Sequence, residues 1–328
     1  MSQWEALIYT DKFDYLYVEP TSYCSLKCPK CARTTNPDRF KPTHLSPQTL
    51  QIFLQSQVWS QLKVIEYGGN LGDPIMHNDF GGLIRAVREV RPKASHLIHT
   101  SGANRNLDWW EKLIQDMTLN DSVTFSVDGL KDTNHIYRIN ADWQTIEDAM
   151  KFCVGKVHTH WKMIVFKHNE HQINEVVKRA KDIGVSWFLL TKSSRYDSGE
   201  DDMKPSPNWV SQVGNIKLEG VDPKCVKSSR HYISAEGKYF PCCWISIDQN
   251  PTIDCEINND FKFEETVLEP MEKFAKNWSG RHHKVCAEMC GKSTGLSSRT
   301  QYDQIDLNLA QPLSVIEETI RQFSNSSC

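Results

Sequence analysis

DYLYVEPTSYCSLKCPKC, residues 14–31, opens with a β-rich run and ends in three cysteines at four- and three-residue spacing. The run reads as a strand, and the cysteines follow where a loop at the C-terminal end of a barrel strand would lie. Cys24, Cys28 and Cys31 can wrap one corner of a small metal centre. A closed tetrahedral zinc site needs a fourth ligand, for which His44 is the nearest candidate. The other option is a cubane iron–sulfur cluster held by three thiolates, which leaves one iron without a protein ligand. Spacing alone leaves both open.

Downstream, short β-rich runs alternate with amphipathic helical patterns. The runs are KVIEYGG (63–69), SHLIHTSG (95–102), SVTFSVDG (122–129), HWKMIVFKHN (160–169) and VSWFLLTK (185–192). The helical patterns are residues 46–57, 79–90, 107–117, 142–152 and 169–184. Ser46 before Pro47 reads as an N-cap with proline at the first helical position. Asn169 is placed to cap the fifth helix, and Gly184 suits its left-handed C-terminal residue. This order implies parallel βα units, and hence an α/β fold. Six units are too few for an eight-stranded barrel and fit a partial (β/α)6 TIM-like one. A doubly wound flat sheet is the competing arrangement.

After about residue 195 the rhythm breaks. Residues 193–208 are polar and acidic, and read as a linker or surface loop. RHYISAEGKYFPCCWI (230–245) reads as a hairpin turning at Glu236–Gly237, residues 263–278 as a helix broken at Pro270, and PLSVIEETIRQF (312–323) as a last helix. Two domains are therefore expected: residues 1–200 as the barrel, and 201–328 as a linker, a small α+β domain with a hairpin, and the C-terminal helix.

Bulk properties narrow the function. The chain has 328 residues, a formal net charge of −3 and no run of lysine and arginine, which argues against nucleic acid as a partner. Its first ten residues lack the basic start and apolar segment of a secretory signal, and no stretch matches a membrane helix. A cytoplasmic protein is expected. In that compartment eleven cysteines point to metal or redox use rather than disulfides.

A second cysteine group is Cys225, Cys242, Cys286 and Cys290. Four thiolates fit a closed cubane or an all-cysteine zinc site. Neighbouring residues of a strand face opposite sides, so Cys243 reads as a small buried hydrophobe, as do Cys153 and Cys255.

Cys24-x3-Cys28-x2-Cys31 after the first strand of a six-fold βα pattern resembles the radical S-adenosylmethionine superfamily. GDPIMHNDF (72–80) resembles that family's glycine–acidic–proline segment, HTSG (99–102) stands at its third-strand segment, and FSVDGL (125–130) resembles its fourth-strand segment. The resemblance implies a [4Fe-4S] cluster on the three cysteines, with S-adenosylmethionine contacted by Gly72, Asp73, Ser126 and Asp128. Arg138 would pair with the cofactor carboxylate. Lys30 stands where relatives often carry an aromatic residue, and Asp73 where they carry glutamate.

The run Cys225-x11-Gly237-x4-Cys242 resembles the opening of the SPASM domain, and the downstream pair fits its shorter twitch version. That implies a second, auxiliary [4Fe-4S] cluster on Cys225, Cys242, Cys286 and Cys290. The implied activity is reductive cleavage of S-adenosylmethionine to a 5′-deoxyadenosyl radical, which takes a hydrogen atom from a peptide side chain or a small metabolite in a net oxidation. A flavodoxin- or ferredoxin-type electron donor is implied. Two competing readings are a redox-neutral epimerase with a cysteine hydrogen donor (Cys153, Cys243 or Cys255) and a non-catalytic cysteine-rich metalloprotein.

Overall fold

The computed structural model describes residues 13–39, 41–193, 202–210, 218–221, 231–240, 243, 246, 291–293 and 304–325. Six strands follow the expected order: β1 (Tyr15–Val18), β2 (Val64–Tyr67), β3 (Ser95–Thr100), β4 (Ser122–Ser126), β5 (His158–Ile164) and β6 (Trp187–Thr191). The helices between them are α1 (Pro47–Gln55), α2 (Phe80–Val90), α3 (Leu107–Gln115), α4 (Trp143–Cys153) and α5 (Ile173–Ile183).

Later in the chain come β7 (Leu218–Val221), β8 (His231–Ile233), β9 (Tyr239–Phe240), β10 (Gly291–Ser293), β11 (Gln304–Asn308) and α6 (Leu313–Asn325). The mostly parallel nine-stranded sheet has the order β11-β6-β5-β4-β3-β2-β1-β8-β9. Its six consecutive parallel strands are those of a partial TIM barrel rather than a doubly wound sheet.

The described chain divides into two compact units, the division falling within β3. The first gathers residues 13–23, 41–97 and β7 to β10. There β1 pairs parallel with β2, Leu16 opposite Ile65, and on its other side with β8, Leu16 opposite His231. The hairpin turning before Tyr239 thus extends the sheet beside β1, while β7 and β10 form a separate antiparallel pair. The core is aromatic: Trp59 meets His231 edge-on at 5.3 Å, and Phe53 stacks on Tyr239 at 5.9 Å. Burial pushes His231 down to about 3, so the ring that bonds the Tyr239 hydroxyl at 2.6 Å is neutral.

The second unit gathers residues 24–39, 98–193, 202–210 and 304–325. β4 pairs parallel with β5, β5 with β6, and β11 closes on β6 antiparallel. Trp110, Phe125, Trp161 and Phe188 fill its interior, fully buried. Helix α5 shows why the pattern reads well: Ile173, Val176, Val177 and Ala180 share one face and are its buried residues. Gly184 ends it in the left-handed region, φ 95°, as expected.

Ser46 caps α1 by accepting the Thr49 N–H at 3.1 Å. Asn169 does not cap α5. A 3-10 turn over Glu170–Gln172 precedes that helix, and the Asn169 side chain serves the chain between β5 and the turn instead. No helix among the described residues is long and apolar enough to cross a membrane.

Candidate functional site

In the second unit the cysteine loop runs into a short helix, Ala32–Thr35, with Cys31 as its extended N-terminal residue. The Cys31 carbonyl accepts the Thr34 and Thr35 N–H groups at 2.9 Å, and its own N–H reaches the Cys28 carbonyl at 3.1 Å. Cys28 is buried; Cys24 and Cys31 are half-buried. The Lys27 N–H donates to the Ile139 carbonyl at 3.1 Å. Asn140 donates to the Ser25 carbonyl at 3.3 Å, and Asn104 to the Ser25 hydroxyl. Both asparagines sit at left-handed φ, 75° and 70°, a conformation their short polar side chains tolerate.

Arg138 ends the short helix Asn134–Tyr137, in the same turn as Ile139 and Asn140. Its Nε donates to Asp128 Oδ2 at 2.6 Å; the Asp128 side chain is fully buried and that of Arg138 is 15% exposed. Burial alone would lower the guanidinium pKa. The Asp128 carboxylate and then Cys28 outweigh it and raise the value, so Arg138 is permanently charged. Asp128 Oδ1 accepts the Ile164 N–H at 2.7 Å, and the Asp128 N–H donates to Asn134 Oδ1 at 2.8 Å. Asn169 Nδ2 donates to the carbonyls of Asp128 and Ile164, 3.0 Å each, and its Oδ1 accepts the Phe166 N–H at 2.7 Å. Asp128 therefore orients Arg138 while joining the ends of β4 and β5. Ser126, the last residue of β4, is half-buried.

Gly102 of the HTSG segment has φ 72°, and a Cβ there would meet the Phe125 ring at 2.6 Å. No other residue fits both constraints.

In the first unit the glycine–acidic–proline segment is joined to the chain just before the cysteines. The Asp73 N–H donates to the Tyr23 carbonyl at 2.8 Å. A Cβ on Gly72 would lie 1.8 Å from the Thr21 carbonyl oxygen, so only glycine admits this approach. Asp73 is buried and its carboxylate caps the turn Pro74–Met76, accepting the Ile75 N–H at 3.3 Å.

Beneath that segment lies Glu19, one residue past β1 and 2% exposed. Its Oε1 accepts the Leu71 and Gly72 N–H groups at 2.7 and 3.4 Å, and its Oε2 accepts the Tyr232 hydroxyl at 2.5 Å. Burial raises the Glu19 pKa above its ordinary 4.5, against the opposing pull of those hydrogen bonds. Burial, with the Glu19 charge beside it, also raises Tyr232 well above 10.

His44 stacks on Tyr23 at 4.6 Å and meets His77 edge-on at 5.1 Å. Cys153 closes α4 at the N-terminal approach to β5, and burial pushes its thiol up to about 12. Cys225, Cys242, Cys255, Cys286 and Cys290 lie outside the described residues.

Of the residues singled out from the sequence, Asp128 and Arg138 stand paired in the second unit and Gly72 and Asp73 stand together in the first; Glu19, Tyr232, Asn134 and Asn140 were not singled out, and Asn169 was expected only as a helix cap. A carboxylate directly after an apolar strand was the only local signal for Glu19.

Among the described residues no group of three or more His, Cys, Asp or Glu side chains is already gathered around a metal position. The donor set nevertheless suits an iron–sulfur cluster: three soft thiols on one short loop, with Cys28 in the field of a fixed guanidinium.

A family model described as the Radical SAM superfamily matches residues 18–189. A tungsten-containing aldehyde ferredoxin oxidoreductase cofactor-modifying protein of Pyrococcus furiosus is 26% identical over 255 residues, 74% of this chain and 66% of the relative. The match therefore spans just under two thirds of that relative's length. Among solved structures, Streptococcus suis SuiB bound to its precursor peptide SuiA aligns with a TM-score of 0.57 at 15% identity, over 83% of this chain and 67% of SuiB. The protein anSMEcpe with bound AdoMet and a Cp18Cys peptide aligns at 0.56 and 14%, over 95% and 98%. At such identities the likeness shows the fold alone.

Proposed function

The chain belongs to the Radical SAM superfamily, and from that premise we propose that it is an oxidoreductase acting on a peptide side chain or a small metabolite. Cys24, Cys28 and Cys31 would hold a [4Fe-4S] cluster with S-adenosylmethionine on its remaining iron. The chemistry these groups would supply when bound and reduced is a 5′-deoxyadenosyl radical able to take a hydrogen atom from a C–H bond.

The chain's own residues bind and orient. Arg138, its Nε fixed by Asp128, keeps N–H donors for the cofactor carboxylate, a charge-assisted bond. Gly72 and Asp73, held against Thr21 and Tyr23, offer backbone carbonyls and a carboxylate to the cationic amino group. Ser126 adds a hydroxyl at the end of β4. A second set, Cys225, Cys242, Cys286 and Cys290 in region 201–328, would hold an auxiliary [4Fe-4S] cluster able to take up the substrate's electron. The proposal includes a flavodoxin- or ferredoxin-type donor and a cytoplasmic setting. A peptide substrate gains support from SuiB and anSMEcpe, whose structures carry peptides; modification of a cofactor gains support from the Pyrococcus relative.

The observation that carries this reading is the buried Arg138–Asp128 pair, electrostatically coupled to Cys28 within the family match. Anaerobic reconstitution followed by iron and sulfide counting tests it. The expected result is about eight iron atoms per chain, falling to about four when Cys24, Cys28 and Cys31 are all alanine. Reduced protein should form 5′-deoxyadenosine, and the triple variant none. Wild type that forms none, or holds zinc alone, favours the non-catalytic metalloprotein.

A further inference from the structure

We infer that Glu19 is a positioning residue for the S-adenosylmethionine amino site, fixing the backbone of residues 70–72 from below and tying it through Tyr232 to Ser246 and the Cys243 carbonyl. The inference rests on the functional reading above and adds a residue that the cysteine, glycine–acidic–proline and arginine elements of that reading do not include.

The geometry carries it. One carboxylate oxygen faces the N–H groups of Leu71 and Gly72, the residues immediately before Asp73. Successive backbone N–H groups make an anion-binding concavity, here filled by a side chain of the same chain. With those donors engaged, the 70–73 backbone is fixed from both sides: Glu19 holds its N–H groups, and Gly72 packs on the Thr21 carbonyl.

The other carboxylate oxygen accepts the Tyr232 hydroxyl, and the Tyr232 ring stacks on Tyr17 of β1 at 5.4 Å. Ser246 is hydrogen-bonded to the same phenol and donates to the Cys243 carbonyl at 2.7 Å. Asn70 Nδ2 closes the ring, donating to the Cys243 carbonyl at 2.8 Å and to Ser246 Oγ at 3.1 Å. The same loop is thus held to β1 and to the residue directly following Cys242, one of the proposed auxiliary-cluster ligands.

A buried carboxylate is a costly way to fill this place. No cation pairs with it in the hydrogen bonds above, and removing a carboxylate from water costs several kcal/mol before any bond is formed. Its pKa is raised for that reason. A leucine would avoid that penalty but leave the donors without an acceptor. What leucine cannot do is accept the Leu71 and Gly72 N–H groups.

The test uses the full-length chain reconstituted with iron and sulfide. Equilibrium dialysis measures the S-adenosylmethionine Kd, and hydrogen exchange read by mass spectrometry follows residues 70–72 before the cofactor is added. Glu19→Leu is expected to weaken Kd at least tenfold and to speed exchange at Leu71 and Gly72 at least tenfold, with iron content unchanged. Glu19→Gln, which keeps an acceptor, should restore both to within about threefold of wild type. Tyr232→Phe removes one hydroxyl and should give an intermediate, roughly threefold change in each.

Unchanged Kd and exchange in Glu19→Leu overturn the inference. If that variant does not fold, unchanged values in Tyr232→Phe overturn it. Wild type that holds the cluster but binds no S-adenosylmethionine overturns the functional reading and this one together, whereas wild type that binds alongside an equally tight Glu19→Leu overturns only the role of Glu19.

Discussion

Asp128 and Glu19 are both buried carboxylates just beyond the end of a parallel strand, and they are held in opposite ways. Asp128 pairs with a guanidinium at 2.6 Å and accepts one backbone N–H. Glu19 is held by neutral donors, two backbone N–H groups and a phenol. The first therefore leaves a fixed positive charge beside Cys28, suited to an anionic group. The second instead engages the Leu71 and Gly72 N–H groups of the neighbouring loop.

The contrast breaks most sharply at Asp128. Asp128→Leu leaves Arg138 buried without its counter-charge, and loss of one partner of such a pair costs about 3–5 kcal/mol. Urea denaturation should show that loss, and the double variant Asp128→Leu/Arg138→Met should recover most of it. A single variant with near wild-type stability would mean that Arg138 reaches solvent and does not depend on Asp128.

Glu19→Gln should move stability in the other direction, and the difference should depend on pH. The folded pKa of Glu19 lies above its ordinary 4.5, so the folded chain binds this proton more tightly than the unfolded one. The carboxyl's contribution is therefore full below about pH 4.5 and is lost as pH rises through the raised folded value. Glutamine does not titrate. Denaturation of both proteins from pH 4.5 to 8 should show wild type losing stability relative to Glu19→Gln as pH rises. Parallel curves would remove the asymmetry between the two carboxylates.

How much of this was legible in the sequence follows from the range of each interaction. Strands and helices were read to within a few residues because periodicity is local: the buried face of α5 repeats every three and four positions. Arg138 and Asp128 stand ten residues apart in one motif, so the sequence singles out both, although it does not give the ion pair between them. Tyr232 is 213 positions from Glu19, and no local pattern links them. The hairpin at 231–240 was expected, but its parallel pairing with β1 was not, because a strand's alternation does not name its neighbour. Asn169 was misread for a related reason. An asparagine before a helical pattern resembles a cap, yet its amide is taken by two carbonyls at the ends of β4 and β5.

The cysteine loop adds a third kind of anchor to the comparison, and the smallest expected effect. Asn140 donates a neutral amide N–H to the Ser25 carbonyl at 3.3 Å, a long bond on an exposed turn. Asn140→Gly loses that bond but relieves a side chain held at φ 75°. The two changes oppose each other, so global stability should shift by less than about 0.5 kcal/mol. The loop itself loses a brace, and release of iron to a chelator should speed up several-fold in the reconstituted protein. Unchanged release would assign the bracing of the cysteine loop to the Lys27–Ile139 backbone bond and Asn104. A large loss of stability would instead make the turn part of the folded core, as Asp128 is.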